Sequence, residues 1–190
     1  LGKDVEQGGC KVIVTRGNSA QGYGYDHRIE ANEYIQISTL PEPQNPLDVG
    51  LANVTLAEQT VLAGLKTLNR LEQVLLSAEK SEKGVDDLVV CTNDGRVIEA
   101  VQGNLFWKMR GRWQTPSLTT AGIDGVMRQH IINSNALGNL DIKEGRVTDL
   151  EHAEQIFVCN SVRGAVPVRS FNGKVFENLP LPEKVQRLAL

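Results

Sequence analysis

Short apolar runs, bounded by glycine, proline and polar turns, make up most of this chain, and their periodicity predicts its elements. Lys11–Thr15 reads as a strand, followed by a glycine-rich loop over 16–25. Tyr34–Ser38 alternates apolar and polar positions and reads as a second strand. Pro41, Pro43 and Pro46 then resist both helix and sheet, so they mark a linker or domain boundary. Val49–Leu56 resumes as a strand. Leu68, Leu71 and Leu75 recur at helical spacing, which predicts an amphipathic helix from Thr67 to about Lys80, ended by Gly84. Asp87–Thr92, Arg96–Val101 and Asn104–Met109 read as strands, joined first by the turn Asn93-Asp94-Gly95 and closed by the turn Arg110-Gly111-Arg112. Asp124 is placed to cap a helix running from Gly125 to about Leu137. Thr148 with Glu151 has the capping-box pattern of a short helix. Ile156–Cys159, a loop over 160–164 and Val166–Val168 complete the pattern. Many strands with interspersed helices and hairpins predict an α+β fold rather than a doubly wound sheet.

Composition narrows the function without deciding it. The 190 residues are 41% hydrophobic and 23% charged, with a formal net charge of -3, ordinary for a globular protein. There is no basic block to suggest nucleic acid, and no apolar run near the ~18 residues of a membrane span. Cys10, Cys91 and Cys159 are odd in number and lack metal-ligand spacing, which fits reduced thiols in the cytoplasm. His27, His130 and His152 are scattered and lack the spacing of a zinc site, so no metal is expected. The chain opens abruptly on Leu1-Gly2-Lys3-Asp4, with neither an initiator Met nor a signal peptide, and reads as a protein entered partway through.

Four local features can carry chemistry. Lys66 stands where an apolar segment meets the predicted helix; it is either a solvated lysine or a desolvated amine able to attack carbonyls. Glu99 lies inside the apolar strand Val97–Val101; it either faces solvent or needs a cationic partner, for which a protonated pyridine nitrogen is a candidate. Asp124-Gly125-Val126-Met127-Arg128 is either a plain capped helix or a start whose free N–H groups bind an anion. Asn160-Ser161, at a strand end, offers amide and hydroxyl donors that can complete such a site.

Taken together these segments resemble the fold-type IV pyridoxal-phosphate enzymes, the family of branched-chain and D-amino-acid aminotransferases. Gly64-Leu65-Lys66-Thr67-Leu68-Asn69-Arg70-Leu71-Glu72-Gln73-Val74 resembles the family's lysine segment. Asp94-Gly95, Glu99 and Asn104-Leu105-Phe106-Trp107 resemble its acidic-strand motif. Ala121–Gln129 resembles its phosphate-binding helix start, and Cys159-Asn160-Ser161 through Pro167-Val168 its last cofactor loop. The Asn-Arg-Leu-Glu-Gln continuation and the Trp after the Phe are most similar to the family's aminodeoxychorismate lyases.

The resemblance implies the roles. Lys66 would hold pyridoxal 5'-phosphate as a Schiff base and serve as the catalytic base. Glu99 would pair with the pyridine nitrogen, and the N–H groups of Val126 and Met127, with Ser161 and Asn160, would hold the phosphate. Arg16, Gln21 and Tyr23 would belong to the substrate loop; D-amino-acid transaminases carry an Arg and a His where Gln21 and Tyr23 stand, which argues against that activity. The implied architecture is a remnant of a small N-terminal α/β domain over 1–45 and a C-terminal pseudo-barrel domain over 46–190, in a cytoplasmic homodimer. The family's front segment, which supplies a further Arg to the phosphate, is absent from this chain. The implied reaction is the conversion of 4-amino-4-deoxychorismate to 4-aminobenzoate and pyruvate, a step of folate synthesis. An aminotransferase of the same fold is the alternative enzyme, and an inactive cofactor-binding fragment or interaction module is the reading from another class.

Overall fold

The computed structural model describes residues 8–19, 22–40, 46–177 and 180–188. Two compact units divide the chain, 1–42 and 43–190. In the first, β1 (Gly9–Thr15) pairs antiparallel with β2 (Asn32–Ser38), Gly9 opposite Ser38 and Thr15 opposite Asn32. Pro41 and Pro43 of the proline cluster lie outside the described residues.

The second unit is a mixed sheet curled into a nearly closed barrel with helices on its outside, so the α+β class holds. Its strands are β3 (Leu47–Leu51), β4 (Asp87–Cys91), β5 (Arg96–Ala100), β6 (Asn104–Met109), β7 (Arg112–Pro116), β8 (Leu140–Lys143), β9 (Gly145–Arg146), β10 (Gln155–Asn160), β11 (Gly164–Phe171) and β12 (Lys174–Val175). They are ordered β8-β7-β6-β10-β11-β3-β4-β5-β9, with β12 on β11. Alternation within the strands separates two faces. Val89, Val97, Leu105, Trp107, Ile156 and Val158 face a common interior. Phe106, Phe157 and Cys159 face outward, where α2 (Val126–Asn133) covers them with Met127 and Ile131. Val90 and Ile98 face outward beneath Leu76 of α1 (Leu71–Lys83).

Several boundaries differ from those the sequence predicts, each for a local reason. The strand expected over Val49–Leu56 stops at Leu51, because the Glu79 carboxylate accepts the N–H groups of Asn53 and Val54 and draws that backbone off the sheet. The chain returns only as a single bridge, Leu56 to Thr92. The first helix begins at Leu71 rather than Thr67. Gly64 donates to the Gly122 carbonyl and accepts from Asp124 N–H, so the segment before the helix runs beside 122–124 instead of coiling. The leucines that suggested the helix's buried face, Leu68, Leu71 and Leu75, are exposed, and Leu76 is its buried residue. Gly84 ends the helix in the left-handed region, φ 64°, as its missing Cβ allows. Gly125, not Asp124, is the N-cap of α2, which stops at Asn133; Asp124 takes hydrogen bonds from Arg128 and Gln129 at 2.6 Å each. α3 (Val147–Glu151) is capped from Asp149, whose carboxylate accepts the Arg146 N–H at 2.8 Å, so Thr148 lies inside it.

The turn between β5 and β6 positions the site and leaves no room for a side chain. A Cβ on Gly103 would lie 2.5 Å from the Cys159 carbonyl oxygen, which is backbone and cannot turn aside. Gly103→Ala is therefore expected to destabilise the fold by roughly 1–3 kcal/mol, the range for overpacking. Urea unfolding of the two proteins measures this, and an unchanged midpoint would contradict the close approach.

Candidate active site

A β-bulge decides where Glu99 points. β4 and β5 pair Val89 with Ala100 and Val90 with Glu99, but Cys91 with Val97, so β5 carries one extra residue. Without it Glu99 would share the interior face of Val97. With it Glu99 stands on the outward side with its cross-strand partner Val90. There its Oε2 accepts the Ile123 N–H at 2.8 Å.

A second side chain fixes the same segment. Asn104 donates from Nδ2 to the Ile123 carbonyl at 2.7 Å and accepts the Gly125 N–H on Oδ1 at 3.1 Å. Arg128, a buried residue in the first turn of α2, donates to Thr115 Oγ1, Asp124 Oδ1 and the Pro116 carbonyl. The start of α2 is therefore gripped from below, while its first N–H groups have no acceptor within the helix. The sequence reading missed both residues as site-builders. Asn104 opens a strand beside Gly103, and Arg128 follows an otherwise apolar helix start; each is a polar side chain at a position that the pattern buries.

One cavity of about 300 Å³ gathers the candidates. Lys66, Glu99, Val126, Met127, Asn160 and Ser161 all line it. The Gly64 pairing with 122–124 is what brings the lysine segment beside Glu99. Lys66 is an exposed residue overall and lines this cavity. Asn160 is largely committed to backbone: Nδ2 donates to the Gln102 carbonyl in the β5–β6 turn, and Oδ1 accepts from Val162 and Arg163 N–H in its own loop. Its side chain thus shapes the turn that presents Ser161. Arg16 and Tyr23 belong to the first unit, where the Arg16 guanidinium lies 3.8 Å over the Tyr25 ring and Tyr23 is fully exposed. Gln21 lies outside the described residues. His27, His130 and His152 are exposed, and no group of metal-ligating side chains occurs among the described residues.

Of the carboxyls lining this cavity, burial acts most strongly on Glu99. Glu99 is 4% exposed, and burial pushes its carboxyl up to about 7. The Ile123 N–H, Arg70 and Lys66 pull it back, and Asp87 pushes it further. Burial likewise raises Cys159, at the cavity wall, to about 12, which makes it a poor nucleophile. The donor set fits an aromatic phosphate with a basic ring nitrogen. N–H groups and a hydroxyl stand ready for the phosphate, an amine for an aldehyde, and a buried carboxyl gains a charge partner if a ring N–H⁺ faces it.

The Amino-transferase class IV family model matches residues 2–171. The chain belongs to that family. Pyridoxal 5'-phosphate is its cofactor. The aminodeoxychorismate lyase of Vibrio harveyi is 31% identical over 172 residues, 86% of this chain and 63% of that protein. The crystal structure of 4-amino-4-deoxychorismate lyase from Pseudomonas aeruginosa has a TM-score of 0.83 at 34% identity, covering 94% of this chain and 68% of that one. A putative branched-chain-amino-acid aminotransferase of Methanocaldococcus jannaschii is 25% identical over 185 residues, 94% of this chain and 64% of that protein. The chain thus spans about two thirds of the length of the relatives it matches. The family resemblance and the fold-type IV architecture read from the sequence both hold.

Glu99 yields a prediction for the cofactor-free protein. The folded state holds the Glu99 proton more tightly than the unfolded chain, whose carboxyl has the ordinary value 4.5. Its contribution to stability therefore falls as pH rises from about 4.5 to about 7. Glu99→Gln has no proton to lose there. Relative to the parent it should gain stability through that window, by roughly 3 kcal/mol, and level off above it. Urea unfolding of both proteins across the window tests this; parallel pH profiles would contradict it.

Proposed function

We propose that the protein is a pyridoxal-phosphate-dependent lyase that converts 4-amino-4-deoxychorismate to 4-aminobenzoate and pyruvate. The observation that carries the reading is the single cavity that brings together Lys66, Glu99, Ser161 and the start of α2. The lyase names of the Vibrio and Pseudomonas relatives favour this reaction within the family.

When bound, the cofactor supplies an electron sink for a carbon that loses its proton. The chain's own residues do the rest. Lys66 would hold the cofactor through its Nζ, and the same Nζ, once free, would take the proton from the amine-bearing ring carbon. Glu99 holds a negative charge for the ring nitrogen. The N–H groups of Val126 and Met127 and the Ser161 hydroxyl bind the phosphate, with Asn160 fixing the Ser161 turn. The enolpyruvyl group leaves, Lys66 returns a proton to the departing enol, and aromatisation of the substrate ring drives the step. Arg16, Gln21 and Tyr23 are proposed substrate contacts, on a segment, 1–45, that we read as the end of the family's small domain, with 46–190 as its cofactor domain.

We also propose a homodimer. Exposed Leu65, Leu68, Leu71, Val74 and Leu75 form an apolar strip around the start of α1, which supports a covered face there. Cys10, Cys91 and Cys159 are all free, which suits a reducing cytoplasm, and no described helix is long and apolar enough to cross a membrane.

Aminotransferase relatives, among them the Methanocaldococcus protein and the D-alanine aminotransferase of Bacillus licheniformis, favour transamination as the second reading. The two separate cleanly in one assay. The lyase releases pyruvate and 4-aminobenzoate from aminodeoxychorismate with no amino acceptor present, and Lys66→Ala reduces this turnover by several orders of magnitude. Transfer of amino groups from branched-chain or D-amino acids to 2-oxoglutarate, with no pyruvate released, would establish the second reading instead.

A further inference from the structure

Glu99 lines two cavities. Besides the cavity it shares with Lys66, it lines a second cavity of about 530 Å³ beneath the start of α1. The half-buried Arg70 lines that second cavity and is the N-cap residue of α1, with φ -129° and ψ 26°. From there its guanidinium reaches back along the chain. Nε donates to the Thr67 carbonyl at 3.0 Å, and Nη2 reaches the Leu65 carbonyl at 3.5 Å. These carbonyls belong to the residues immediately before and after Lys66.

We propose that Arg70 is a positioning residue: it holds the carbonyls of the two residues on either side of Lys66 and sets a fixed cation by Glu99, at the second cavity that Glu99 lines. A planar fork bonded to two carbonyls holds a backbone turn more rigidly than a single ammonium can. The turn needs an outside hold, because 67–69 are not helical and make no helix ladder of their own. The cation answers a second need. Burial pushes the Glu99 carboxyl up, and Asp87 adds to the push; Arg70 pulls it down more strongly than Lys66 does. Lys66 cannot be relied on for that charge if its amine becomes part of a neutral tether or a base. Arg70 is permanently charged and meets neither fate. One residue thus sets both the direction of the tether and the charge of the group facing the ring nitrogen.

This inference rests on the proposed cofactor reading for its purpose but not for its geometry, so the test is made first on the cofactor-free protein. Two variants are compared with the parent, Arg70→Gln and Arg70→Lys. Glu99 titration is followed by carbon NMR of labelled glutamate, with Glu99→Gln as the assignment control. Backbone order at 65–69 is followed by amide exchange. Arg70→Gln should raise the Glu99 midpoint by about one pH unit, while Arg70→Lys, which keeps the cation, should leave it near the parent value. Both variants should exchange the 65–69 amides roughly tenfold faster, having lost the fork. An unchanged Glu99 midpoint in Arg70→Gln, or unchanged exchange in both variants, would overturn the proposal. A failure of the parent protein to develop visible absorbance with pyridoxal phosphate would instead count against the cofactor reading and leave these two measurements standing.

Discussion

A carboxyl group that is 4% exposed cannot sit in a protein without something to answer its charge, and the second unit is arranged around that constraint at Glu99. The bulge in β5 turns the side chain out of the barrel interior. The Ile123 N–H meets it, Asn104 holds the Ile123 carbonyl, and Gly64 pairs with the residues on either side of Ile123. The glycine at 122 is required by the same arrangement: its φ is +84°, and a Cβ there would press on Ile98 at 2.5 Å and approach Glu99 Oε2 at 3.2 Å. Each of these contacts also places a piece of the cavity. The hydrogen bonds that support Glu99 are those that bring Lys66 and the start of α2 to it.

The buried carboxyl is only partly satisfied by the chain itself. One N–H is its hydrogen-bond donor among the described residues, and its affinity for a proton stays near the neutral range. A buried group left in this condition is destabilising until a cationic partner arrives, and a protonated ring nitrogen is such a partner. If Glu99 takes the role proposed for it, stability and cofactor binding are two faces of one interaction, and the group can be probed without turnover.

The short-range pattern was legible in the sequence where local rules decide structure. Asn104–Met109 is the strand its residues predict, and Asn93-Asp94-Gly95 and Arg110-Gly111 turn where positive φ is tolerated, with Gly95 at 80° and Gly111 at 72°. The elements that differ are those set by distant partners. Nothing near Val54 announces that Glu79, 25 residues on, will take its N–H. The exposed Leu68, Leu71 and Leu75 have the spacing of a buried face, but periodicity cannot say whether that face meets this chain or another. The candidate residues are legible through motif resemblance, and the roles of Asn104 and Arg128 are not, because each holds backbone that only the fold brings within reach, Ile123 and Gly125 for Asn104 and the Pro116 carbonyl for Arg128.

We propose that one cavity is a pyridoxal-phosphate site tethered at Lys66. It is tested most directly by reducing the protein with borohydride after incubation with pyridoxal phosphate and mapping the labelled peptide. A single modification at Lys66, lost in Lys66→Ala, is the expected result. Label on another lysine, such as Lys80 or Lys143, with Lys66 unmodified, would contradict it.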